Sequence, residues 1–292
     1  MACYNPIAAW RSHTKNPETG KTPLQFTPPK HDRKEPEGLN LPCGKCIGCL
    51  ADESMMWSIR AYHEASMHKF NSFLTLTYDD DHLPSDNKIN KPDLQKFFKR
   101  MRKHFKFKYL ACGEYGELTR RPHYHAIIFG EHFNHGGLTQ MIDDQQYTNS
   151  VVEKIWGQGH ISIAECNLST IMYTCGYVHK KIGDDETFRL MSRGSGKVSD
   201  PPIWRYGIGK AWLEKYKDDL TKTAGHPVVT MEGREFPIPP RYIDWFEDDF
   251  AEVKKYRQEH AKKKALTHGA LSMRNKEKNK RAQLKQRKSG EI

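Results

Sequence analysis

Along residues 70–78 (FNSFLTLTY) apolar and polar positions alternate, with Leu74 and Leu76 on one side and Phe73, Thr75 and Thr77 on the other. A period of two predicts a half-buried strand. Residues 108–113 (KYLACG) and 123–130 (HYHAIIFG) read as two more strands. The stretch between them, EYGELTRRP, is turn-rich and too short for a helical crossover, so the two should pair as an antiparallel hairpin. Residues 159–166 (GHISIAEC) alternate as a further strand. Helical spacing appears over 51–69, where Met56, Ile59, Ala61 and Met67 recur, and over 168–182 (LSTIMYTCGYVHKKI). It appears again over 91–105, with Pro92 in the first turn and Leu94, Phe97, Phe98, Met101 and Phe105 on one stripe. Residues 139–156 also read as helical, whereas Pro17, Pro23, Pro28, Pro29 and Pro36 make 14–40 an extended loop. Strands joined by hairpins, with helices inserted, predict an α+β fold: a central antiparallel sheet of about five strands with helices packed on it. Three segments follow: a Pro- and Cys-rich N-terminal part with its helix (1–69), a core (70–250) and a C-terminal arm (251–292).

Composition adds the arm's character. The chain has 292 residues, 37% of them hydrophobic, which suffices for a real core, and a net charge of +11. Residues 251–292 hold 14 Lys and Arg against 4 Asp and Glu, hence +10, so the first 250 residues are nearly neutral. That arm is too poor in apolar residues to fold alone and reads as helical or disordered, either a phosphate-binding arm or a solvated helix. A second basic stretch lies within 91–108, with 8 Lys and Arg and one Asp. Lys91, Lys96, Lys99, Arg100, Arg102 and Lys103 there are candidate DNA-backbone contacts or simply a solvated helix face. No apolar run approaches the ~18 residues that span a bilayer, and the N-terminus lacks a secretory pattern, so a soluble protein of the cytoplasm is expected.

Candidate chemistry gathers in three places. His123 and His125 sit two apart on a strand, so both rings project from one face and could grip one cation. A carboxylate from the partner strand would complete a three-ligand site; Glu114 is the choice and Glu117 the alternative. Tyr173 and Tyr177 lie four apart on the predicted helix, hence on one face, and Lys180 and Lys181 extend it. Finally Cys43, Cys46 and Cys49, with Cys3 as a fourth, could form a small zinc site; reduced structural thiols are the competing reading, since the spacing is not the usual pair of pairs.

Taken in order, a strand FLTLTY, an acid, His-x-His on a hairpin and Tyr-x-x-x-Tyr-x-x-Lys on a helix resemble the HUH endonucleases. More narrowly they resemble the two-tyrosine replication initiators of small single-stranded DNA bacteriophages, in particular the gokushovirus group of microviruses. MACYNPIAAW, PCGKCIGC, CGEYGELTRRPHYHAIIFG, YTCGYVHKK and MSRG are similar to that group as well, so the resemblance covers roughly residues 1 to 210. It implies an HUH endonuclease core in 70–250, with His123, His125 and Glu114 as ligands of Mg²⁺ or Mn²⁺. Tyr173 and Tyr177 would be nucleophiles, Lys180 their companion, and Lys181 and Arg193 DNA contacts. The implied activity is site-specific nicking and rejoining of phage origin DNA through a 5′-phosphotyrosine, beginning rolling-circle replication with host helicase and polymerase as partners. Tyr124 departs from the family pattern, which usually has an aliphatic residue between the histidines. A binding protein without catalysis, using basic residues and aromatic stacking on single-stranded DNA, is the alternative; it leaves the His and Tyr pairs unexplained.

Overall fold

The computed structural model describes residues 3–12, 14–28, 38–116, 119–134, 138–180, 207–222, 228–267 and 270–289. The elements in chain order are β1 (Ile7–Arg11), β2 (Leu24–Gln25), β3 (Leu39–Leu41), α1 (Ile47–Ala65), β4 (Asn71–Thr77), α2 (Lys91–Met101), β5 (Lys108–Tyr115) and β6 (Pro122–Phe129). There follow β7 (Thr139–Met141), β8 (Gln146–Asn149), α3 (Ser150–Trp156), β9 (Ile161–Glu165) and α4 (Leu168–Lys180). The chain continues with α5 (Lys210–Lys222), β10 (Val228–Met231), β11 (Arg234–Pro237), α6 (Pro240–Trp245), α7 (Ala251–Thr267) and α8 (Ala270–Ser289). By contacts these fall into two units, Met1–Glu53 with Phe250–Ile292, and Ser54–Asp249.

The second unit is built on a six-stranded sheet of order β5-β6-β4-β9-β8-β7, antiparallel throughout, so the fold is α+β. Both of its faces are covered. On one, Leu74, Leu76, Tyr124, Ala126, Ile128, Ile161 and Ile163 pack against Leu94, Phe97, Phe98 and Met101 of α2 and Val152, Ile155 and Trp156 of α3. On the other, Leu110, Ile127, Phe129 and Phe73 meet Ala61 of α1 and Ile171 and Cys175 of α4. Each such Leu, Ile or Phe contributes about 1.5–3 kcal/mol by leaving water. Because side chains alternate, these two burials fix which way every residue of β6 points.

Polar contacts pin the layers. The Tyr124 hydroxyl accepts from the Asn90 N–H and donates to the Asn90 carbonyl, both at 2.8 Å, just where α2 begins. It also lies 2.8 Å from the Tyr78 hydroxyl, which reaches Asp93 at 3.1 Å. That network is the reason a tyrosine, not an aliphatic residue, stands between the two histidines. Behind α1, the buried Glu64 accepts from Lys108 Nζ at 2.6 Å and the Gly209 N–H at 2.7 Å and lies 2.9 Å from His68 Nε2, tying that helix to β5 and to the start of α5. Burial alone would raise its carboxyl; those hydrogen bonds win and hold it below the usual value. Gly159 sits at φ +137, with Thr77 and Asp79 backbone so close that a Cβ would lie 2.3 Å from the Asp79 nitrogen. Only glycine lets β9 enter the sheet there.

Two expectations are corrected. Residues 139–156 are not one helix: β7 and β8 form a hairpin and only Ser150–Trp156 is helical. The Asp143 carboxylate accepts from the N–H groups of Gln145 and Gln146, making the turn, and β8 gains a partner in β9. Asn149 then starts α3 by accepting from Val151 and Val152, and Gly157 at φ 60 ends it. Likewise 14–40 is not all loop, since β2 and β3 flank β1 in a small antiparallel sheet.

In the first unit the arm is helical, as α7 and α8, with Phe250 and Val253 buried at its base. Asn5 donates to the Glu277 carboxylate at 3.0 Å, so α8 touches the chain's beginning. Among the described residues no helix is long and apolar enough to cross a membrane.

Candidate active site

The site grows out of strand register. β6 lies between β5 and β4, so each of its residues has two cross-strand neighbours. His123 is opposite Glu114 on β5 and Thr77 on β4; His125 is opposite Cys112 and Thr75. All six side chains therefore face the α4 side of the sheet. Glu114 Oε2 lies 3.1 Å from His125 Nε2 and 3.3 Å from His123 Nε2, and the three ligand atoms fall within 4.8 Å of one another.

The far side of each ring is held. His123 Nδ1 is 3.2 Å from the Arg121 carbonyl, and His125 Nδ1 is 3.1 Å from Thr75 Oγ1. A carbonyl can only accept, so Nδ1 of His123 carries a proton and the neutral ring turns its Nε2 lone pair toward Glu114. Such an orienting bond behind a ligating imidazole is what a metal site requires. One carboxylate oxygen and two imidazole nitrogens suit a divalent cation, with the remaining positions left for substrate oxygens, so the donor set fits a metal.

Over this cluster lies the tyrosine helix. Ile171 and Cys175 of α4 are buried against the sheet, which brings Tyr173, on the same helix, across the mouth of the site. Its ring meets His125 edge-on at 5.2 Å, and Phe73 stacks on the other side of His125 at 5.3 Å. The Tyr173 hydroxyl donates to Glu114 Oε2 at 3.5 Å. Glu114 and His125 are only 7% and 6% exposed while Tyr173 is 42% exposed, a buried charged floor under an accessible phenol.

Residues 71–182, which contain this whole arrangement, match the family model for replication-associated proteins of the ORF2 type. The chain is 33% identical over 240 residues to replication-associated protein VP4 of Bdellovibrio phage phiMH2K, covering 75% of this chain and 71% of that one. It is 31% identical over 250 residues to replication-associated protein ORF2 of Spiroplasma virus 4, covering 78% and 75%. This chain belongs to the microvirus replication-associated proteins. A third member, replication-associated protein ORF4 of Chlamydia phage 1, is 29% identical over 254 residues, covering 81% of this chain and 61% of its own length. No solved structure matches.

Within this replication-associated protein the other expected residues are dispersed. Tyr177 and Lys180 belong to α4, but their side chains lie outside the described residues, as do Glu117, Lys181 and Arg193 altogether. The basic residues of α2 do not join the site, because that helix packs on the opposite face of the sheet. There Arg100 donates to the carbonyls of Ile155 and Trp156 at 2.8 and 2.9 Å, and Arg102 lies over the Tyr109 ring. Lys96 pairs with Asp93 at 3.7 Å, while Lys91, Lys99 and Lys103 are exposed. Cys3, Cys43, Cys46 and Cys49 form a separate cluster in the first unit. Thr75, Phe73 and the Arg121 carbonyl were not anticipated as site components. Phe73 and Thr75 had a signal all the same: in FLTLTY they alternate against Leu74 and Leu76, so in a three-strand pairing they must share a face with the histidines.

Proposed function

We propose that this replication-associated protein nicks and rejoins one strand of phage origin DNA through a covalent tyrosine–DNA intermediate, starting rolling-circle replication. The observation that carries the reading is the Tyr173 hydroxyl poised at Glu114 beside His123 and His125. A divalent cation, Mg²⁺ or Mn²⁺, held by Glu114, His123 and His125, would supply positive charge to the non-bridging oxygens of the phosphate. Imidazoles are poor partners for such hard cations, so binding would be weak and exchangeable.

The chain's own groups do the rest. Tyr173 starts from a phenol with a reference pKa of about 10, and the hydrogen bond toward Glu114 draws on its proton. The phenolic oxygen forms a bond to phosphorus, the P–O3′ bond breaks, and the departing 3′ oxygen takes up a proton to become a free 3′-OH. Attack by a 3′-OH on the phosphotyrosine reverses the step and restores the phosphodiester without ATP. Phe73 and Tyr173 flank the His125 ring and exclude water from that side of it. Tyr177, one helical turn on, would serve the second cut while the first tyrosine still holds the old end, with Lys180 a further turn along to neutralise charge. The free 3′ end suits a host polymerase and the displaced strand a host helicase, in the cytoplasm where the phage genome is copied.

The test is a single-stranded origin oligonucleotide with Mn²⁺, run on a denaturing gel. A protein–DNA adduct that disappears in the Tyr173→Phe, Tyr177→Phe double variant is the expected result. Binding of DNA with no adduct under any metal would leave a non-catalytic DNA-binding protein instead.

A further inference from the structure

We propose that Cys3, Cys43, Cys46 and Cys49 bind a structural Zn²⁺ that staples the first unit, independently of the nicking site. Their four sulfurs lie within 4.8 Å of one another, with Cys3 Sγ to Cys46 Sγ and Cys43 Sγ to Cys49 Sγ each 4.0 Å, and none is in a disulfide. A tetrahedral zinc with Zn–S of about 2.3 Å places its sulfurs roughly 3.8 Å apart, so small shifts suffice to close the shell.

The backbone is arranged for thiolates. Cys43 Sγ accepts from the N–H groups of Lys45 and Cys46 at 3.5 and 3.3 Å, Cys3 Sγ from Cys43 at 3.3 Å, and Cys46 Sγ from Tyr4 at 3.3 Å. A neutral thiol is a feeble acceptor, so four N–H groups aimed at three sulfurs point to sulfur carrying negative charge. Gly44, at φ +71, makes the tight reversal that turns both following N–H groups back onto Cys43. Cys49 falls in the first turn of α1 and Cys46 immediately before it, so the positive end of the helix adds to the same compensation.

The need for a staple is visible in the segment itself. Its strands are five, two and three residues long, and its described buried apolar residues are Ala9, Cys46, Ile47 and Leu50. Strands so short with so small a core do not hold by themselves. An ion joining Cys3 to Cys43 would close a 40-residue excursion that contains the whole β1–β2–β3 sheet and fasten it to α1. Four soft sulfurs in a tetrahedral cluster select zinc over the hard cation suited to Glu114, His123 and His125.

Elemental analysis of the full chain, purified under reducing, chelator-free conditions, should find about one zinc per chain. The His123→Ala, His125→Ala double variant should keep that zinc, which separates this site from the proposed nicking centre. Cys49→Ser should lose zinc to a competing chelator at least tenfold more readily. Should that variant fail to fold, replacing zinc by Co²⁺ in the unaltered chain should give the intense visible bands of tetrahedral cobalt thiolate. Less than a tenth of an equivalent of zinc together with no cobalt–thiolate bands would overturn the proposal, and stoichiometric iron in place of zinc would overturn the metal assignment.

Discussion

Strand β6 has two faces that differ in every physical respect. Tyr124, Ala126 and Ile128 are fully buried among the aromatic and aliphatic side chains of α2 and α3. His123 and His125, interleaved with them, look onto a carboxylate and an accessible tyrosine. The contrast teaches a division of labour. Packing on the first face holds the register, and a slip of one residue would exchange the faces, so the second face can carry charged groups that contribute little to stability. Near the site the second face adds its own anchoring only farther down the strand, through Ile127 and Phe129.

The contrast can be broken from either side. Replacing His123 and His125 together by alanine should lower adduct formation roughly a thousandfold, given several kcal/mol of charge stabilisation lost, while the urea unfolding midpoint stays close to that of the parent. Tyr124→Ala should do the reverse: about 3–5 kcal/mol of stability lost in urea unfolding, with nicking by the folded fraction retained. Thr75→Val removes the hydroxyl behind His125 without changing its volume much. It should weaken divalent-metal affinity by about 10–100-fold in a Mn²⁺ titration of adduct yield.

A third histidine sharpens the comparison. His63, on α1, stacks on Trp212 at 3.5 Å and touches the Tyr242 hydroxyl at 2.9 Å, and burial pushes it down to about 3. The unfolded chain therefore takes up a proton near pH 6.5 that the folded chain refuses until about pH 3. Its contribution is fully present above pH 6.5 and is lost as pH falls, by up to about 1.4 kcal/mol per pH unit in that window. Unfolding free energies measured from pH 7 to pH 4 should show this slope, reduced in His63→Asn. The smallest effect concerns α2. Lys99→Glu with Lys103→Glu, on the face away from the tyrosine, should weaken DNA binding less than about tenfold, by lessening phosphate attraction, and leave the cleavage rate of bound DNA unchanged.

How far the chain's pattern could be read depended on where each element finds its stability. The hairpin of β5 and β6 and the strand β4 were legible, because alternation and a short connection leave little choice of pairing. The tyrosine helix was legible too, since Ile171 and Cys175 share a stripe that needs a surface to cover. The β7–β8 hairpin was not. Thr139–Met141 and Gln146–Asn149 are too short to declare a period, and they are strands because β9 offers an edge. The same holds for β2 and β3, which exist only as partners of β1.

For the site the division is similar. Local pattern by itself determined that His123 and His125 share a face, that a hairpin precedes them, that Tyr173 and Tyr177 share a helix side, and that positive charge gathers in the arm and in α2. Tertiary structure alone decided that Glu114 stands opposite His123, that α4 and not α2 lies over the histidines, and that Cys3 meets cysteines 40 residues away or more. The reason is physical. Periodicity encodes which side of an element must leave water, whereas which element covers it is settled only when every apolar face in the chain competes for a partner.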